Sequence, residues 1–402
     1  MPEPRQPARA SSTTPVRLAI AGLGPAGVGL ALRAVERGWD VTCHDPAIAD
    51  GDVLPPWPAT YGAVDPDIPP WAAEFFDSSA PLTVIAETRR ELGFRYRMLN
   101  KEALRNAFRR ANIPVRRSPA PASSRTSVTV TCTGAPRTDA ALWQIAAGVV
   151  VSLSDATSHP TPEPIFMDWR GRADHHPPSF LYVQQVDDGW LFEETILAAH
   201  CPADASEQQR LVDMLRARLA ERLDSSEVRA LGPWIQLRTE AVSIPMGTSR
   251  GTLPDFFGAA GGLIHPATGY SLGASLTGAD DVLDMIERTH GTSGHGRREG
   301  LMCANRLCAR TNRWLAYVLR QVGGELIARA DQETLRSFFE CFFRLPAPVQ
   351  LAYLTGHDGV AVAKAMWQLR AHTGFRHEFL RPLWTQPWPV ARAVWKRMRA
   401  RR

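Results

Sequence analysis

VRLAIAGLGPAGVGLALRAVERGWDVTCHDP, residues 16–46, decides the fold. Val16, Leu18, Ala19, Ile20 and Ala21 make a short apolar strand, Val28 to Arg37 carries helical periodicity, and Val41-Thr42-Cys43 forms the next strand. Between strand and helix, Gly22-Leu23-Gly24-Pro25-Ala26-Gly27 fits GxGxxG. Gly22 is needed for a sharp turn, Gly24 lets a pyrophosphate approach the backbone, and Gly27 lets helix pack on strand. The helix N-terminus then faces the anion. Asp45 closes the second strand where an acidic residue is required to accept ribose hydroxyls. The order predicts a Rossmann-type dinucleotide site at Gly22, Gly24, Pro25, Ala26, Gly27 and Asp45.

Two later stretches extend this unit. VTVTCTGAP, 128–136, reads as a strand and a glycine turn at Gly134 that close the same domain. FFGAAGGLIHPATGYSLGASLTGADDVL, 256–283, resembles the flavin-hydroxylase pattern of GD followed by PxxGxG, carried by Gly258, Pro266 and Gly269, with Tyr270 beside them. The Asp of that pattern is absent, since Ala259 follows Gly258. A helix beginning near Gly269 would aim its amino end at the flavin, where reduced flavin carries negative charge. The N-terminal glycine turn resembles that of glutathione-reductase-type flavoproteins, which implies FAD rather than NAD. The expected fold is α/β: a Rossmann FAD-binding domain, an interleaved β-rich substrate domain and a helical C-terminal region.

A chain of 402 residues has room for more than one substructure and a sizeable cavity. With 44% hydrophobic and 22% charged residues it reads as a folded protein. Six cysteines lie far apart with no CxxC, which argues against a zinc ribbon or a disulfide framework and fits a reducing cytoplasm. His175-His176 stand before two prolines without an i,i+4 partner, so no metal is expected. GxSxG, Walker A and HExxH are all absent. No run reaches the ~18 apolar residues of a membrane span. The net charge of +5 gathers in residues 391–402, ARAVWKRMRARR, beside Trp395. That tail suits an anionic surface, and a membrane is expected rather than nucleic acid, giving a cytoplasmic protein peripheral to the cytoplasmic membrane.

FLYVQQVDDGWLFEETIL, 180–197, places Glu193 and Glu194 among residues made for an interior. Neighbours on a strand point to opposite faces, so only one of the two can line a cavity. An apolar pocket raises a carboxyl pKa and keeps it protonated near neutral pH, as alkene protonation requires. Glu193 is the candidate acid.

Five blocks, WPATYG (57–62), FMDWR (166–170), FEET (192–195), IPMG (244–247) and HPATGY (265–270), occur in the order found in the lycopene cyclase family, which this sequence resembles over about residues 16–285. The resemblance implies a flavoprotein isomerase (an intramolecular lyase) that needs reduced FAD yet performs no net oxidation, acting on a hydrophobic polyene. It assigns the acid to the first glutamate of FEET, Glu193, and implies cyclisation of an acyclic lycopene end, with NAD(P)H as a candidate reductant. Trp57, Tyr61, Trp169 and Phe192 are expected to line the substrate pocket with π-rich walls for a cation. Asp168 and Glu240 are further acid candidates, each balanced against a structural or surface role. QQVDDGW and Ser-Leu-Gly after Tyr270 depart from the family's usual continuations, which leaves the substrate open: another polyprenyl chain is the alternative, and a flavin monooxygenase the competing class.

The expected layout is a disordered leader (1–13), a discontinuous FAD domain (14–50, 99–150, 251–290), a substrate domain (51–98, 151–250) and a helical, membrane-associating tail (291–402).

Overall fold

The computed structural model describes residues 16–78, 80–124, 126–138, 140, 142–153, 160–201, 204–290, 299–356, 358, 359–374 and 377–400. The expected leader lies outside them, as does 291–298 at the start of the tail. In chain order the strands are β1 (Arg17–Ala21), β2 (Asp40–His44), β3 (Gly62–Val64), β4 (Thr83–Ile85), β5 (Arg89–Glu91), β6 (Tyr96–Met98), β7 (Val115–Arg116), β8 (Val128–Thr131), β9 (Leu142–Leu153), β10 (Ile165–Asp168), β11 (Phe180–Val186), β12 (Gly189–His200) and β13 (Trp234–Pro245). The helices are α1 (Pro25–Glu36), α2 (Lys101–Arg110), α3 (Ala205–Leu223), α4 (Ser226–Arg229), α5 (Leu272–His290), α6 (Glu299–Arg329), α7 (Gln332–Phe342), α8 (Ala347–Leu354), α9 (Gly359–Thr373), α10 (Arg381–Thr385) and α11 (Pro387–Ala400).

β7, β2, β1 and β8 form a parallel sheet in that order. β1, RLAIA, is its central apolar run, while β8, VTVT, alternates buried valines with half-buried threonines. α1 packs against α5 through buried Val28, Ala31, Leu276, Ala279 and Leu283. Arg33 on α1 and Arg37 just after it also pair with Asp280, and Arg37 with Asp284, on α5. Burial of each large side chain is worth about 1.5–3 kcal/mol and each surface ion pair about 0–1, so the apolar seam carries the contact and the ion pairs set its register.

The second sheet has seven strands in the order β13-β9-β12-β11-β10-β4-β5. β9, β12 and β13 are each 12 residues long and antiparallel to one another. β9 pairs along its length with both neighbours, so residues 142–150 belong to this sheet and not, as expected, to the FAD segment ending at 150. α3 covers one face through Leu211, Leu215 and Leu219. The other face meets the first domain and the C-terminal helices, where Phe338, Phe339, Phe342 and Phe343 are buried in the largest core.

Among the described residues no helix is long and apolar enough to cross a membrane. α11 instead presents a mixed face. Val390 and Val394 are buried while Trp388, Arg392, Trp395 and Lys396, spaced i, i+4, i+7, i+8, are exposed, Trp388 to 81%. Trp384 on α10 and Trp367 on α9 are exposed as well.

Candidate active site

The glycine turn has the form its chemistry requires. Gly22 has φ +97°, and a Cβ there would lie 2.8 Å from the Cys132 carbonyl. A Cβ on Gly27 would sit 2.0 Å from Gly22 O, whereas one on Gly24 would meet nothing within 4 Å. Pro25 opens α1, whose N-terminus has no side-chain cap, so its first N–H groups remain available to an anion. This cradle fits a dinucleotide pyrophosphate. Asp45 braces it: one carboxylate oxygen accepts from Leu23 N and the other from Ala47 N, both at 2.9 Å. Each oxygen keeps a second acceptor site. Ala26 packs where Gly258 (φ +63°) has no side chain. Gly134 (φ +83°) faces open space beyond β8, and its carbonyl accepts from Arg250.

The HPATGY loop is held from within. His265 Nδ1 accepts from Ala267 N and Thr268 N at 3.1 and 3.2 Å, so the proton sits on Nε2, 3.0 Å from Tyr353 O. Gly269 has φ +75°, and a Cβ there would strike Gln144 Oε1, which belongs to β9. Pro266, Gly269 and Tyr270 thereby join the first domain to the large sheet, and α5 begins two residues beyond Tyr270.

The β11–β12 hairpin separates the two glutamates. Glu194 is fully buried on the α3 side: Ser179 Oγ donates to it at 2.6 Å, and Arg222 Nε lies 3.4 Å away. Arg218 in turn donates to Ser179 Oγ. Burial pushes the Glu194 pKa up, and Arg222 and Ser179 pull it back down. Asp168 belongs to the same network, 2.8 Å from Arg170 and 3.8 Å from Arg222. Held between two guanidiniums at the end of β10, it belongs with Glu194 and Arg222 rather than beside Glu193.

Glu193 leaves β12 on the opposite face. Thr195 Oγ1 donates to it at 3.0 Å. It is half-buried, with protein packed around it. Burial, with the negative charge of Glu240 second, pushes its pKa up to about 8. In the sheet Tyr182 stands opposite it on β11 and Gly148 on β9. Tyr182, Tyr96, Tyr270 and Phe166 form one aromatic group: Tyr96 lies 6.4 Å from Tyr182, 5.9 Å from Tyr270 and 5.7 Å from Phe166 between ring centroids. Burial pushes all three tyrosines above their ordinary range, so their hydroxyls stay neutral.

Glu240 is buried on β13, accepting from Thr60 N at 2.6 Å and Thr60 Oγ1 at 2.7 Å, with Arg238 at 3.1 Å. Tyr61 stands close enough for burial and the Glu240 charge to push its pKa up to about 12. A cavity of about 520 Å³, lined among others by Trp57, Thr60, Lys101, Arg105, Val186 and Arg238, includes Thr60 and Arg238, the residues that hold Glu240. Trp57, in its lining, ties it to the glycine turn by donating from Nε1 to Leu23 O at 2.8 Å.

Of the expected pocket residues, Trp57 lines this cavity and Tyr61 lies near Glu240, while two are elsewhere. Phe192 points to the α3 face, packed with Val151, Val183, Trp190 and Leu219, because it alternates with Glu193 along the strand. Trp169 is fully buried, stacked on Phe339 at 4.9 Å and against Phe180. Tyr96, Phe166 and Tyr182 were missed. The two-residue turn at 187–188 pairs Val186 with Gly189 and fixes Tyr182 opposite Glu193, so that partner was legible; Tyr96 and Phe166 come from strands far off in sequence. Among the described residues no three His, Cys, Asp or Glu are grouped to hold a metal ion.

The chain is 26% identical over 381 residues to lycopene beta cyclase of Synechococcus elongatus, covering 84% of this chain and 88% of that one. It is equally 26% identical to the chloroplastic lycopene beta cyclase of Arabidopsis thaliana, covering 83% and 73%. The fold is similar to that of the flavin-dependent brominase Bmp2, with TM-score 0.52 and 11% identity over 96% of this chain and 100% of that one. Residues 119–358, more than half of the chain, match the family described as lycopene cyclase protein. The chain belongs to the lycopene cyclase family.

Proposed function

We propose that this chain is an FAD-dependent, non-redox cyclase that closes an acyclic end of lycopene or a similar polyene, with Glu193 as the general acid. The observation that carries the reading is a carboxyl held protonated near neutral pH against an aromatic wall. Proton transfer from Glu193 to a terminal alkene leaves a tertiary carbocation. The next double bond attacks it, a six-membered ring closes, and the charge moves into the ring. Return of one ring proton to the Glu193 carboxylate sets the new double bond and restores the acid, so electrons and atoms balance as an isomerisation.

The protein's share of the work is charge and shape. Tyr96, Tyr182, Tyr270 and Phe166 offer π faces to the cation and exclude water that would quench it. Reduced FAD, with NAD(P)H as the proposed source of its electrons, would add negative charge to that environment. Gly22, Gly24, Pro25, Ala26 and Gly27 would cradle its pyrophosphate, Asp45 would accept from its ribose, and Gly134, Pro266, Gly269 and Tyr270 would border its far end.

The experiment is product analysis with purified protein, reduced FAD and lycopene under anaerobic conditions. Cyclised product without stoichiometric NAD(P)H consumption is the expected result. Activity confined to another polyprenyl chain would move the substrate and keep the chemistry; product matching NAD(P)H and oxygen one for one would establish a monooxygenase.

A polyene of this class resides in a bilayer, and we propose that the protein works in the cytoplasm at the cytoplasmic membrane surface. Trp388 and Trp395 would sit at headgroup depth with Arg392 and Lys396 against anionic lipid.

A further inference from the structure

Glu193, Gly148 and Glu240 stand in one row across three adjacent strands: β12 pairs Glu193 with Gly148, and β13 pairs Glu240 with the same glycine. Residues directly opposite in a sheet share a face, so both carboxylates rise from the same side, about 10 Å apart at the backbone. Only a glycine stands between them. A Cβ at position 148 would meet Glu193 Cβ at 3.2 Å and Leu191 Cδ1 at 2.9 Å.

The two carboxylates differ in what holds them. Glu193 receives one hydroxyl hydrogen bond, from Thr195. Glu240 receives a backbone N–H and a hydroxyl from Thr60, and a guanidinium from Arg238. Donors stabilise an ionised carboxylate, and Glu240 has the richer set of them. Two like charges across a single glycine gap do not both form readily, and the weaker-held group keeps the proton. Tyr182 on β11 and Tyr96 on β6 also face Glu193 and are neutral, Glu240 is the charge that acts on it, and Arg238 and Lys101 are the cations around Glu240.

We propose that Glu240 is a positioning residue for the acid: a fixed carboxylate, one glycine away across the sheet, whose negative charge keeps the proton on Glu193. It donates nothing to substrate and acts through Glu193 alone. Gly148 keeps the path between the two free of any side chain. This rests on Glu193 being the acid, but its test does not need turnover.

The test is an infrared pH titration of the carboxylic C=O band of Glu193 in the purified protein without substrate, the band being assigned by its loss in Glu193→Gln. Glu240→Gln should lower the titration midpoint by about one pH unit, and Glu240→Asp should return it toward wild type. Arg238→Gln, which strips Glu240 of its counter-charge, should raise the midpoint. Opposite signs distinguish charge from loosening of the fold, which would move both variants the same way. An unchanged or higher midpoint in Glu240→Gln overturns the proposal. Should that variant not fold, Arg238→Gln decides alone: a rise supports it, and no change or a fall overturns it. A shifted midpoint in a protein that cyclises no polyene would defeat the proposed function and leave this coupling intact.

Discussion

Glu193 and Glu194 are consecutive on β12 and belong to different parts of the protein: Glu193 meets Thr195 and the tyrosine wall, while Glu194 is sealed beneath α3 against Ser179 and Arg222. Glu193→Gln should therefore cost at least the ~10²–10⁴-fold of a lost general acid, because an amide cannot protonate an alkene. Glu194→Gln should instead destabilise the fold, by about 3–5 kcal/mol for a broken buried pair, and leave turnover per bound FAD within about tenfold. Denaturation together with anaerobic product analysis separates the two. A dead but stable Glu194→Gln would reverse the assignment of faces.

Glu193 also gives the pH dependence a sign. Its pKa in the folded protein, about 8, lies above the ordinary 4.5, so the fold favours the protonated form. Cyclisation should be level below pH 8 and fall about tenfold per unit above it. Its contribution to stability is fully present below pH 4.5 and declines as the pH rises to about 8. Glu193→Gln should remove that decline and unfold at higher denaturant than wild type at pH 8, the reverse of its effect on activity.

Gly24 and Gly27 should fail differently. Gly27→Ala drives a Cβ into Gly22 O, a backbone clash that should cost about 1–3 kcal/mol or more of stability. Gly24→Ala meets no protein atom, so it should fold like wild type and lose flavin affinity. Melting temperature and bound-flavin absorbance, measured on both, check this. Equal flavin content in wild type and Gly24→Ala would contradict a pyrophosphate at that turn.

Tyr182→Leu should lower cyclisation more than Phe192→Leu, because only the first removes a π face on the side of Glu193. Phe192→Leu shrinks a buried side chain, so it should cost about 1–3 kcal/mol of stability yet little turnover per bound FAD. Comparing turnover per bound FAD tests the pairing; equal losses would argue against the tyrosine wall.

Trp388→Ser with Trp395→Ser should abolish co-sedimentation with anionic phosphatidylglycerol vesicles, while wild type binds these and not neutral phosphatidylcholine ones. Undiminished binding by the double variant would remove α11 as the docking face.

The glycine spacing of 22–27 and the alternation of 180–197 determined the dinucleotide-type domain and the opposite faces of the two glutamates, because strand period and turn sterics act over a few residues. Even the facing of Tyr182 and Glu193 follows from a two-residue turn. What only the tertiary structure decided is everything across distant strands. Glu240 joins Glu193 through a row in β9 that no local pattern encodes, and Asp168 and Trp169 leave the site because α3 and α7 supply Arg222 and Phe339 to hold them. A side chain's face is set by its own strand, but whether that face is a cleft or a core depends on which helices and strands return to cover it.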